Sequence, residues 1–96
     1  MIYEWDEAKR AANLEKHGLD FADADLVLES GYVLIVDSPR RDEFRQQAFA
    51  YVFEVLTVLS VAFVPGEDRY RIVSFRPARR DERRAYHDWL ENHFDE

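Results

Sequence analysis

The stretch "AFAYVFEVLTVLSVAFV", Ala48 to Val64, decides how the chain folds. As one helix it is long enough to raise a membrane span, yet Glu54 interrupts it and its Val, Phe and Tyr content suits β-structure. It reads as two strands, Arg45 to Phe53 and Leu56 to Val64, turning back near Phe53 to Leu56. No Gly, Asn or Asp marks that reversal, although those residues supply the backbone angles of tight hairpin turns.

Working outward, "YVLIVD" before the hairpin and "RYRIVSFR" after the turn signal "PGED" read as two further strands, giving a four-stranded antiparallel meander. Ile2 to Trp5 reads as a short strand, and Asp6 as the N-cap of a helix that runs to His17 and stops at Gly18. Asp20 caps a second, shorter helix through "FADADLVL", with Phe21, Ala24 and Leu28 on one face, and Gly31 releases the chain into strand. After Pro77 a closing helix aligns Ala78, Glu82, Ala85, Tyr86, Trp89, Leu90 and Phe94 on one stripe. The fold class is therefore α+β: a short N-terminal strand, two helices, the meander and a C-terminal helix. Trp5, Ala85, Tyr86, Trp89 and Leu90 are expected in or against the core.

Ninety-six residues suffice for one domain spanning 1–96. Cysteine is absent, which excludes disulfides and thiolate metal sites, and the three His show no ligand-like spacing, so neither metal nor cofactor is expected. The acidic start "MIYEWDEAKR" has no signal-peptide pattern, so the expected location is the cytoplasm and no membrane partner is expected.

Charge is unevenly spread. The formal net charge is -7, and residues 1–30 hold eight acids against three bases, yet residues 69–84 hold seven Arg against two acids. Because salt screens distant charges, the local patch governs what an anion meets. Eleven of the thirteen basic residues are Arg, whose planar fork grips phosphate bidentately. Arg79, Arg80, Arg83 and Arg84 read either as a solvated helix face or, with Arg71, as a surface for nucleic acid or a protein partner. Arg45 and Arg76 lie in strands, where a charge needs a carboxylate partner or an anionic ligand. Glu43, two residues before Arg45, is a structural partner or a general base. Lys9, Asn13 and His17 align at four-residue spacing, and a mid-helix Asn suggests docking of its amide onto a neighbouring segment; His17 is the reserve candidate for proton transfer.

"WDEAKRAANLEKHGLDF" followed late by "RIVSFRPARRDERRAY" resembles the BrnT family of type II toxins over nearly the full chain. Trp5, Asp6, Lys9, Asn13, Lys16, His17, Gly18 and Phe21 match the family's first pattern. Arg71, Ile72, Val73, Ser74, Arg76, Ala78, Glu82, Arg83 and Tyr86 match its second. The family usually carries a Gly shortly after the middle Arg and another in the hairpin, and this chain has neither.

The resemblance implies a RelE-like ribonuclease fold, RNA as substrate, and a BrnA-like antitoxin that binds the operator DNA, so that this chain would reach DNA only through its partner. Arg45, Arg76 and Glu43 are then the expected catalytic residues of a metal-independent endoribonuclease. The alternative is a catalytically inactive binding module serving only as antitoxin ligand and corepressor. Self-association into a homodimer stays open.

Overall fold

A computed structural model describes residues 1–94, without the Phe94 side chain, so Phe94's place on the closing stripe and residues 95–96 lie outside the described part. The chain runs β1 (Ile2–Glu4), α1 (Glu7–His17), a 3-10 turn (Phe21–Asp23), α2 (Asp25–Leu28), β2 (Leu34–Asp37), β3 (Gln46–Val52), β4 (Thr57–Pro65), β5 (Arg69–Pro77) and α3 (Arg80–Phe94). Strands β2 to β5 form the expected antiparallel meander, but the sheet has five strands in the order β1-β5-β4-β3-β2. The correction is β1, which pairs in parallel with β5 from Ile2 opposite Arg69 to Glu4 opposite Arg71, making the sheet mixed. No helix among the described residues is long and apolar enough to cross a membrane.

The helix signals hold where they rest on capping chemistry. The Asp6 carboxylate accepts from the Ala8 and Lys9 N–H groups, and Gly18 closes α1 in the left-handed region at φ 70°. Asp20 accepts from the Ala22 N–H, but the segment it caps is a 3-10 turn followed by the single helical turn α2, not one helix. Within it Val27 is fully buried, whereas Leu28 only packs against the core edge. Arg10 locks this segment onto α1, donating to both Asp20 oxygens at 2.7 and 2.9 Å.

Two cores flank the sheet. On one face Phe21, Ala24 and Val27 pack against Val61, Phe63, Ile72 and Phe75. On the other, Phe49, Val58, Ala78 and Tyr86 form a smaller cluster with Trp89 and Leu90 at its margin. Ala85 is exposed, contrary to its expected core position, and α3 begins at Arg80, after the strand has run on through Pro77. The Tyr86 hydroxyl donates to the Tyr32 carbonyl at 2.8 Å and ties α3 to the entry of β2.

The turn lacking Gly is the hairpin tip between β3 and β4, where Leu56 itself adopts φ 54°. Its side chain is 72 % exposed, so packing gives little in return for the steric cost of that conformation. Gly66, by contrast, is required: a Cβ there would sit 2.6 Å from the Arg69 carbonyl oxygen.

Asn13 fastens α1 to the sheet. Beyond Arg71 strand β5 is no longer paired by β1, and Asn13 takes over, its amide donating to the Phe75 and Leu19 carbonyls while its oxygen accepts from the Phe75 N–H. The side chain thus serves as one residue of a neighbouring strand.

Two stability outcomes follow from these contacts. Asn13→Ala leaves several buried backbone groups unpaired and should cost about 3 kcal/mol, lowering the melting temperature by roughly 10–20 °C; a shift of only a few degrees would mean that water replaces the clamp. Leu56→Gly removes the left-handed strain and should stabilise the chain by about 1 kcal/mol in a denaturant titration.

Candidate active site

Residues paired across strands share a face, so the sheet register sorts the arginines. One row runs Gln47, Ala62, Ser74 and another Phe49, Ser60, Arg76. Arg71 pairs with Val64, two residues from Ala62, and so lies on the same face as both rows. In an unbroken strand Arg71 and Arg76, five residues apart, would point to opposite sides. The irregularity between Ala62 and Phe63 corrects this: Ala62 pairs with Ser74 and Phe63 with Ile72, leaving Val73 as the extra residue of a bulge.

The hairpin from β2 to β3 extends beyond its strands. Ser38 donates to the Arg45 carbonyl, and Arg40 and Glu43 exchange backbone hydrogen bonds across the two-residue turn Arg41-Asp42. Glu43, Arg45 and Gln47 therefore follow one another on the face that carries Arg71 and Arg76. Helix α3 covers the Phe49 end of this face and leaves the Arg45 end open.

Arg45, expected within a strand, stands one residue before β3 on the hairpin extension, whereas Arg71 and Arg76 lie in β5, and each of the three meets a carboxylate. Arg45 donates from Nε to Glu43 at 2.8 Å, and Arg71 donates from a terminal nitrogen to the other Glu43 oxygen. The bond from Arg45, then the charge of Arg71, holds the Glu43 carboxyl below the usual carboxylate range. Arg76 donates to both oxygens of Glu82 at 2.7 and 3.0 Å in a pair whose side chains are only 16 % and 14 % exposed. Glu82 also accepts from the Arg79 N–H at 2.8 Å, which is one half of a capping box at the start of α3, and Gln47 approaches it at 3.5 Å.

Arg45 and Arg71 thus meet at one carboxylate, while Arg76 engages a different one. Glu82, expected on the apolar stripe, is instead the residue that joins α3 to β5. The signal for it was present as a Glu three residues after Arg79 at a helix start. Arg79 and Arg80 are exposed, as is Arg83, whose guanidinium donates to the Ala78 carbonyl at 2.9 Å. His17 is half-buried at the end of α1, and its imidazole is held below its ordinary value by burial, then by the charges of Lys16 and Arg76.

Arg76→Ala should cost about 2 kcal/mol, less than the full penalty for breaking a buried pair because this one keeps some solvent contact. The bond from Arg76 lowers the Glu82 carboxyl from its ordinary 4.5. Its stabilisation is therefore complete above pH 4.5 and lost as the pH falls through the lower folded value. Urea titrations across that window should show a steeper acid loss in the parent chain than in Glu82→Gln; equal slopes would remove Glu82 from the stability balance.

A family model described as the ribonuclease toxin BrnT of type II toxin-antitoxin systems matches residues 5–82, which include α1, strands β2 to β5 and the carboxylate of Glu82 but not β1. No curated protein matches the chain. The chain belongs to the BrnT family of ribonuclease toxins of type II toxin-antitoxin systems.

Proposed function

We propose that the face carrying Arg45 and Arg71 at its open end and Arg76 beside α3 binds RNA and cleaves it without a metal, inhibiting translation until a cognate antitoxin covers it. The observation that carries this reading is the bulge in β5, which brings Arg71 and Arg76 to the same side of the sheet when regular alternation would divide them, on the face where Arg45 stands just before β3. The family's description as a ribonuclease toxin supplies the reaction class. Helices packed on an antiparallel meander also agree with a RelE-like ribonuclease fold.

In the proposed reaction a base removes the proton of the RNA 2′-hydroxyl, whose oxygen attacks the adjacent phosphorus. The 5′-oxygen leaves and takes a proton from an acid. Negative charge grows on the non-bridging oxygens, and Arg45 and Arg76 stabilise it there. Glu43 is the proposed base: it is ionised at neutral pH, and its two arginine neighbours make it a weak one. His17 is the alternative proton carrier, since it is neutral at pH 7 and feels the charge of Arg76.

The antitoxin proposed as partner is BrnA-like, occupying the arginine surface that includes Arg79, Arg80 and Arg83 and carrying the pair to operator DNA. Its binding should therefore weaken with salt.

Arg45→Ala is the cleaner catalytic variant, because its partner Glu43 keeps Arg71. Cleavage of total RNA by the purified protein should fall by roughly 100- to 1,000-fold while the melting temperature changes little. Full cleavage by this variant, with normal growth arrest on induction, would remove Arg45 from the chemistry. No cleavage by the parent chain alongside tight antitoxin binding would favour the non-catalytic binding module.

A further inference from the structure

The two carboxylate contacts on this face of the sheet differ in charge. Arg45 and Arg71 share the single carboxylate of Glu43, which leaves one positive charge uncompensated. Arg76 faces Glu82 alone, and that pair is neutral. Every guanidinium carries five N–H donors in a fixed fork. Arg45 spends only Nε on Glu43 and Arg71 only a terminal nitrogen, and their side chains are 25 % and 38 % exposed, so this end holds unspent donors in contact with solvent.

The ends are also far apart. Arg71 pairs with Val64 and Arg76 with Ser60, four residues along β4, which is about 13 Å at the rise of an antiparallel strand. Ser74 and Gln47 occupy the row between them. At this backbone spacing the guanidinium groups are held on separate carboxylates, Glu43 and Glu82, and an extended nucleic-acid strand crosses the interval in about two linkages.

We propose that Arg45 and Arg71 form a phosphate subsite of their own, separated from Arg76 by about two linkages of a single strand that passes over Ser74 and Gln47. This rests on the reading of the face as the RNA site. It makes substrate length a determinant of affinity: an oligonucleotide spanning both ends gains the second contact at a high effective concentration, and a shorter one occupies either end alone.

The test measures binding by fluorescence anisotropy for 2′-O-methyl oligonucleotides of increasing length at fixed salt. Such strands have no free 2′-hydroxyl and are not cleaved, so the readout is independent of activity. The parent chain should show a step of roughly tenfold in affinity once the strand carries three linkages. Arg71→Ala and Arg45→Ala should each lose the step, with thermal melting confirming that both variants fold. A smooth rise with every added linkage, or a step that persists in both variants, overturns the separate subsite even if the chain cleaves RNA. A step in a chain that cleaves no RNA sustains the subsite and refutes the nuclease reading. No binding at any length overturns the separate subsite, and the cleavage assay on total RNA decides the nuclease reading.

Discussion

One extra residue in β5 governs both sides of the sheet. A strand alternates strictly, so its core face and its open face cannot be set independently. With Val73 bulged out, Ile72 and Phe75 both reach the larger core while Arg71, Ser74 and Arg76 share the other side. Under strict alternation from Phe75, Ile72 would leave the core and Arg71 would enter it, and a guanidinium among Phe63, Val61 and Phe21 would have no partner. Packing energy and site geometry thus share one local backbone irregularity.

The second constraint is how α1 and α3 are held against the sheet by polar groups at its margins. Asn13 completes the hydrogen bonding of β5 at Phe75. Glu82 joins β5 to the first turn of α3 through Arg76 and the Arg79 N–H. Both contacts converge on the end of β5, so the strand that carries two of the three site arginines is also the strand to which two helices are anchored. Apolar burial decides that the helices lie on the sheet; these directional bonds decide where along it.

The sequence was legible where one residue type has one local meaning. Asp6, Asp20 and Gly18 announced their caps, and alternating apolar residues gave β2 to β5. Asn13 was recognisable as a docking residue because an amide in mid-helix is otherwise unfavourable. What alternation could not supply was pairing with a distant partner. The parallel placement of β1 beside β5 links residues about sixty-seven positions apart, and nothing in "IYE" distinguishes an edge strand joining the sheet from one standing alone. Within the site, Glu43 beside Arg45 followed from two-residue spacing, whereas the meeting of Arg71 with Glu43 depended on the bulge and left no trace in composition. Ala85 was misplaced for a related reason. Its helical spacing matches the apolar stripe, yet α3 meets the sheet along Tyr86, Trp89 and Leu90 and leaves its neighbour in solvent.

The two-residue turn at Arg41-Asp42 bears on how such a protein can change over generations. The hairpin keeps one register from Leu34 opposite Phe49 out to Arg40 opposite Glu43, so the tip that presents Glu43 continues the pairing of β2 with β3. An added or lost residue at the tip leaves Ala48, Ala50 and Val52 in place, because the pairing that seats them lies further down the hairpin. The same change alters the loop that sets the charges of Arg41 and Asp42 beside Glu43. Insertions and deletions there offer a lineage a route to a new charge pattern over the sheet with the core left as it was.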